Sequence, residues 1–573
     1  MEYKNETKNC QNCKKDFTIE SEDFSFYEKI KVPPPTFCPE CRFQRRLMFR
    51  NERHLYKREC ALCKKKIIST FSLEKPRIVY CQKCWWSDKW NPLDYGREYD
   101  SEQPFFEQMD SLLHEIPLVA LGNNHPTLVN SEYVNESGDA KNCYLVFDTD
   151  FCENVLYSTK LSNMKDSMDI HRGGESELCY ESISCYKSSR IFFSEDINNS
   201  VDIFFSKNLS GCMNCFGCVN LRNKTHYIWN KPYSKKDYEK EVKILKEKIT
   251  TRMGIRDFIS EAEKFWLKEP QKFMHGFQNV NVSGDYLNES KNVKKSFQVR
   301  GLEDSKFCQF LKDGGVKNAY DYTIWGNNAE LVYECINVGM GIHNTKFCNV
   351  CALGNTINTE YCVWCLDVMN LFGCSGLRKK KYCILNKQYF PEEFISLRNK
   401  IIEDMQKNPY IDKKGRVWKY GEFFPYDLSY YGYNETDADT YFPITKSQAI
   451  DSGWKWFDEN FSEYKISVKT KNLPISASDI RNEILEEIVE CSSCYKAYRF
   501  TNAELIFLRR FDLPLPDKCF ECRLKRRLAR MNPMKLWHRK CMKEGCTNEF
   551  ETSYAPGRSE IVYCEKCYQA EVY

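Results

Sequence analysis

The chain has 573 residues, a net charge of +4 from 84 Lys+Arg against 80 Asp+Glu, and 31 cysteines. That length makes several domains, and the absence of any run of about 18 apolar residues excludes a helical membrane span. So many cysteines behind a polar opening, MEYKNETKNC, point to metal and a reducing cytoplasm rather than to an extracellular disulfide scaffold. The charge is uneven: residues 42–58 carry +6, residues 523–540 carry +8, and the remainder is net −10.

Residues 1–90 read as a first metal unit. Its cysteines run Cys10-x2-Cys13-x24-Cys38-x2-Cys41-x18-Cys60-x2-Cys63-x17-Cys81-x2-Cys84. Two cysteines two residues apart can turn both thiolates toward one tetrahedral ion. Two such knuckles close a four-thiolate site, the ligand set of structural zinc. Sequential pairing joins Cys10 and Cys13 with Cys38 and Cys41, then Cys60 and Cys63 with Cys81 and Cys84. A cross-braced pairing, first knuckle with third, is the alternative. After Cys41, Arg42, Arg45, Arg46, Arg50, Arg53 and Lys57 fall within an arc of about 140° on a helix. A one-sided basic stripe suits the phosphates of a nucleic acid. It equally suits a solvated face, or one that pairs with the acidic body.

Residues 91–125 are a connector containing a short amphipathic helix, FFEQMDSLLHEI. Just before it, Trp85, Trp86 and Trp90 either plug the metal unit onto its neighbour or stack on bases. From 126 to 232, polar turn-like pairs alternate with short apolar runs. Cys143, Val155, Met168, Cys179, Arg190, Val201, Cys212 and Thr225 recur at 11 to 13 residues, the pattern of stacked strands in a β-solenoid. Whether one period or two makes a coil stays open. Residues 233–275 read as a helical insert, with Tyr238, Val242, Leu245 and Ile249 at helical spacing and Ser234 with Asp237 as its cap.

The block then repeats. EYVNESGDAKNCY at 132–144 matches DYLNESKNVKKSF at 285–297, and FGCVNLRNKTHYIWNKPY at 216–233 matches FGCSGLRKKKYCILNKQY at 372–389. Residues 276–388 are therefore a second solenoid repeat, and 389–408 a helix opening at Pro391. Among the fifteen cysteines outside the metal units, Cys348, Cys351, Cys362 and Cys365 keep CxxC spacing. They form a candidate fifth metal site, or else fill the solenoid interior as small apolar residues. Residues 409–484 are rich in aromatics and are expected to pack as a strap along the solenoid. Residues 485–573 copy the first unit: Cys491, Cys494, Cys519, Cys522, Cys541, Cys546, Cys564 and Cys567 repeat all three long spacers. A second stripe, Arg523, Arg526, Arg527 and Arg530, precedes Pro533. Sixteen ligands predict four structural zinc ions.

Residues 10–46, with CPECRFQRR, resemble the small bacterial zinc-ribbon or treble-clef modules called probable zinc-ribbon domains. Residues 60–84 and 541–567, with PRIVYCQKC and SEIVYCEKC, resemble a second zinc-ribbon type ending in VYCxxC. The C-terminal copy has Tyr498 and Arg499 where the first has Phe17 and Thr18, away from the ligands. The resemblance implies bound zinc and knuckle folds at both ends. Such modules share no single function.

No GxSxG, phosphate loop, HExxH or dinucleotide fingerprint occurs. His125, His171, His226, His275 and His343 stand apart, and Asp148, Asp150, Asp166 and Asp169 have no spacing that singles out a pair for sugar chemistry. The expected fold is multidomain and mainly β: a duplicated β-solenoid with helical inserts, flanked by two homologous double-zinc treble-clef or zinc-ribbon units. The expected function is a non-enzymatic cytoplasmic scaffold binding nucleic acid, RNA before DNA, through the two basic helices. The alternatives are a protein–protein scaffold using the solenoid face, and a groove enzyme acting on a glycan or nucleotide.

Overall fold

In a computed structural model, residues 3–458 and 464–572 are described. The protein is mainly β, and two large curled sheets dominate it, one of ten strands between Val134 and Pro232 and one of thirteen between Gly276 and Gln388. No helix among the described residues is long and apolar enough to cross a membrane.

In the first sheet the chain pairs in parallel with itself twelve residues on. Val134 faces Val146, Met168 faces Tyr180, Ser189 faces Val201, and Met213 faces Thr225. One period of the sequence is thus one full turn of chain. Every third residue from Glu136 to Trp229 has a positive φ, so each turn has four corners and sides three residues long. A left-handed corner costs a non-glycine residue roughly 1–2 kcal/mol, and ladders between turns offset that cost. Outside, corner amides stack: Asn142 Nδ2 donates to Asn154 Oδ1 at 3.0 Å, and Asn154 Nδ2 to Asp166 Oδ1 at 2.8 Å. Inside, Ser188 Oγ donates to Tyr186 O at 2.7 Å and accepts from Ser200 N at 3.1 Å. Cysteine takes the same interior position. Cys212 N donates to Ser200 Oγ at 3.0 Å, and the Cys212 thiol donates to Ser210 O at 3.5 Å. Val134, Val146, Ile170, Ile197 and Ile203 fill what remains of the interior.

The second sheet follows the same plan less strictly. Its register is twelve residues at Gly284 and Ser296, fourteen at Gln309 and Thr323, thirteen at Lys317 and Glu330, and twelve again at Met369 and Lys381. Both sheets end alike. Thr225–Ile228 turns back through Lys231–Pro232 into the helix Lys235–Lys248; Lys381–Ile384 turns back through Lys387–Gln388 into the helix Pro391–Lys407. The expected insert at 233–275 is two helices, because the chain breaks before Thr251, which caps Arg252–Trp266 by accepting from Gly254 N at 3.1 Å.

The aromatic strap is core. Trp418, Phe423, Phe424, Tyr426 and Tyr433 are buried in one cluster with Phe37, Phe43 and Phe49 of the first metal unit and Phe347 and Tyr361 of the second sheet. Residues 459–463 of the strap lie outside the described residues. The first metal unit therefore packs on the second sheet. The second unit packs on the first sheet, where Phe507, Leu508 and Leu513 meet Tyr180, Phe192 and Phe204. The ends of the chain are crossed over its middle.

Candidate metal centres and the arginine clamps

Each metal unit is built from two hairpins. Glu6–Asn9 pairs with Asp16–Ile19 and presents Cys10 and Cys13 at its turn. Cys38 is the N-cap of the helix Pro39–Leu47, which carries Cys41 in its first turn. The second hairpin, Tyr56–Glu59 with Lys66–Ser69, presents Cys60 and Cys63, and Cys81 caps the short helix Gln82–Trp85 that carries Cys84. The C-terminal unit repeats this with Cys519 as the N-cap of Phe520–Ala529. Four groups result: Cys10, Cys13, Cys38 and Cys41; Cys60, Cys63, Cys81 and Cys84; Cys491, Cys494, Cys519 and Cys522; Cys541, Cys546, Cys564 and Cys567. Within each group the sulfurs lie within 4.8 Å of one another. The pairing is sequential; the cross-braced alternative does not occur.

The donor set fits a metal ion. In every group one sulfur accepts a backbone N–H: Cys10 from Cys38 N at 3.2 Å, Cys60 from Cys81 N at 3.2 Å, Cys491 from Cys519 N at 3.3 Å, and Cys541 from Cys564 N at 3.3 Å. Such bonds favour the thiolate. Burial opposes ionisation of Cys60 and Cys491, yet the N–H groups around them bring both thiols down to about 7. Four such groups, of four sulfurs each, could hold metal ions.

The candidate fifth site does not form. Among the described residues Cys348, Cys351, Cys362 and Cys365 close no such group. Their sulfurs point at backbone carbonyls instead, Lys346 O at 3.2 Å, Cys362 O at 3.6 Å, Glu360 O at 3.3 Å and Val363 O at 3.7 Å. All fifteen central cysteines are buried, standing where serine stands elsewhere in the turns. Glu20, Glu22 and Asp23 also converge, but on an ammonium: Lys306 Nζ lies 2.5, 3.5 and 2.7 Å from them.

The arginine stripes face inward, which corrects the expectation that they meet phosphate from the surface. Arg42 pairs with Asp321 at 2.8 Å and donates to Phe37 O at 2.7 Å. Arg45 pairs with Glu334, and with Glu422 at 3.1 Å. Arg46 reaches Asp321 at 3.1 Å, Glu334 at 3.3 Å and Thr323 Oγ1 at 3.0 Å. Arg50 meets Asn337, and Asp437 at 3.2 Å. Arg53 reaches Glu521 of the other metal unit at 3.7 Å. At the far end Arg523 pairs with Asp169 at 3.0 Å, Arg526 with Glu181 at 2.8 Å, Arg527 with both at 3.0 and 3.2 Å, and Arg530 with Glu195. The cause is the helix itself. On Pro39–Leu47 the residues between the arginines, Phe43 and Leu47, are buried too, and only the side of Glu40 and Gln44 reaches solvent, so the arginine face enters the core and its cations need partners there.

These two sites are one arrangement made twice. In each, two arginines four residues apart on a knuckle helix grip two carboxylates on successive turns of a sheet: Arg42 and Arg46 on Asp321 and Glu334, Arg523 and Arg527 on Asp169 and Glu181. We call them clamps. The acids were missed in the sequence. Their signal is a spacing of twelve or thirteen residues, one turn of chain.

The carboxylates considered for groove chemistry do not converge. Asp148 is held by Lys160 at 3.0 Å and Lys312 at 2.9 Å, Asp166 joins the corner ladder, and Asp169 belongs to a clamp. Among the histidines, His171 is buried against Thr159 at 2.7 Å, and half-buried His275 pairs with Asp285 at 3.0 Å. Trp85 and Trp90 are buried as plugs, whereas Trp86 is 45% exposed. No family model, curated protein or solved structure matches this chain.

Proposed function

We propose that the protein is a non-enzymatic, zinc-held scaffold. In this reading two copies of one β-solenoid module lie side by side, four zinc ions rigidify two double metal units, and those units tie the modules together. The outer solenoid faces are then the docking surface for a macromolecular partner. Bound zinc would be structural, because four thiolates leave no open coordination position for chemistry. The observation that carries the reading is the pair of clamps. The arginine stripes are consumed by internal carboxylates, so both basic helices act as bolts between metal unit and module. Buried in this way, they give no support to a nucleic-acid interface at those helices.

The test is metal removal from the purified protein with amide hydrogen exchange as readout. We expect four zinc ions per chain. Stripping them should raise exchange around Asp169 to Glu181 and around Asp321 to Glu334, where the clamps grip. Unchanged exchange in both segments after complete metal loss would overturn the reading.

A further inference from the structure

The two metal units are copies, so each serves as a control for the other. Their second hairpins superpose residue for residue: Tyr56, Lys57, Arg58 and Glu59 facing Lys66 to Ser69 correspond to Trp537, His538, Arg539 and Lys540 facing Glu549 to Thr552. Beyond Cys63 the N-terminal copy has Lys64, Lys65 and Lys66. The C-terminal copy has Thr547, Asn548 and Glu549 in their place. Two residues after Cys84 stands Trp86; two after Cys567 stands Gln569. Lys64, Lys65, Lys66, Lys83 and Trp86 are all exposed.

These residues gather around one metal group. Lys64 follows Cys63, Lys83 lies between Cys81 and Cys84, and the Cys63 and Cys81 sulfurs are 3.9 Å apart. Among the described residues none of Lys57, Lys64, Lys65, Lys66 or Lys83 lies in an ion pair. In the other copy Lys540 pairs with Glu549 at 3.1 Å, His538 Nε2 lies 2.7 Å from the same carboxylate, and Lys543 pairs with Glu571. A four-thiolate site holding a divalent ion is net negative, and nearby lysines could merely balance it. The C-terminal copy keeps the same four sulfurs with Thr547, Asn548 and Glu549 alongside, so the metal group does not require Lys64, Lys65 or Lys66, whereas Lys83 has a counterpart in Lys566. The Trp86 ring meets Trp85 edge-on at 5.1 Å, and its Nε1 donates to Gln82 Oε1 at 3.1 Å. The indole is therefore held in place while nearly half its surface stays open.

We propose that this knuckle face binds single-stranded nucleic acid, with Lys64, Lys65, Lys66 and Lys83 on successive phosphates and Trp86 stacked on a base. Unpaired cations beside a fixed, exposed aromatic ring are the two elements that single strands require. A duplex hides the base faces, so it cannot meet the ring in this way. The proposal goes beyond the scaffold reading: it adds a binding surface on the first metal unit, apart from the solenoid faces.

The experiment uses the full-length, zinc-loaded protein and fluorescent oligo-U, oligo-dT and the dA·dT duplex, each about twelve nucleotides long, titrated at about 50 and 200 mM salt. Two variants carry the residues of the C-terminal copy, which already supports this fold: Lys64→Thr with Lys65→Asn and Lys66→Glu, and separately Trp86→Gln. The triple variant should lose at least about tenfold in affinity at 50 mM salt and flatten the log–log salt slope by about two, the value for three phosphate contacts on a single strand. Trp86→Gln should lose about fivefold or more with the slope retained. Zinc content and hydrogen exchange at the clamps should match wild type in both. Wild-type affinity in the triple variant, no binding by wild type at 50 mM salt, or equal affinity for a duplex would each overturn the proposal while leaving the clamp test untouched.

Discussion

Both clamps bury their gripping arginines, but the stripe beside them is sealed at the N-terminal end and half open at the C-terminal end. Arg42, Arg45 and Arg46 are at most 1% exposed, whereas Arg526 is 39% and Arg530 16% exposed. The difference comes from the strap. Trp418 and Phe37 cover the Arg45 guanidinium at 4.9 and 4.6 Å, and Glu422 adds a third carboxylate. Among the described residues the strap lays no ring over Arg526, Arg527 or Arg530, and Trp266 of the helical insert lies over Arg530 at 5.8 Å. One ion-pair pattern thus serves in two environments, and its worth is set by what lies over it.

The comparison breaks most sharply at the arginine that is buried in both clamps. Arg46→Ala and Arg527→Ala each remove the one cation that two buried carboxylates share, leaving Asp321 to Arg42 and Glu334 to Arg45, or Asp169 to Arg523 and Glu181 to Arg526, and each should cost about 3–5 kcal/mol in urea unfolding. Equal, small losses would mean that the carboxylates rehydrate freely. Acid should separate the two clamps next. Burial would raise Glu181, but Arg526 and Arg527 outweigh it and hold its pKa to about 2. That stability is present above about pH 4.5 and is lost as pH falls toward 2, amounting to about 3 kcal/mol. At the N-terminal clamp burial dominates and holds Glu334 above the usual carboxylate range, against Arg45 and Arg46. Its contribution runs the other way, falling as pH rises past the ordinary carboxylate value. Glu181→Gln should therefore remove acid sensitivity from exchange at the C-terminal clamp, and Glu334→Gln should not. The smallest effect belongs to Arg526→Ala. Its partly exposed pair should be worth about 1 kcal/mol or less, against severalfold more for Arg527→Ala one residue away.

Much of this was legible in the chain. The repeated spacers gave the four cysteine groups and their sequential pairing, because ligand geometry constrains spacing tightly. The recurrence of Cys143, Val155, Met168 and Cys179 gave the period, though not that one period closes a turn, nor that it does so through four corners. Left-handed corners at Leu145, Phe151 and Tyr157 leave no compositional trace, since these residues do not favour that conformation. The arginines misled for a definite reason. A helical arc tells which residues share a face and is silent on what that face meets. The answer lay about 275 to 350 residues away, in Asp321 with Glu334 and Asp169 with Glu181, and nothing local to the stripe points there. The central cysteines misled less, because thiols facing carbonyls at serine positions need no partner cysteine.

The crossing of the ends has a consequence during synthesis. Arg46 and Asp321 are 275 residues apart, so at 5–20 residues per second the first clamp helix waits about 15 to 55 seconds for its carboxylates to emerge. Asp169 and Glu181 leave the ribosome well before then, at the same corner of the same kind of turn. The near-identical wrong grip is therefore available first. What distinguishes the right one is the thirteen-residue step from Asp321 to Glu334 and the strap that closes over Arg45, and both arrive later. The likeness of the two clamps makes the nascent chain a candidate for swapping its own halves, and the strap closes over only one of them.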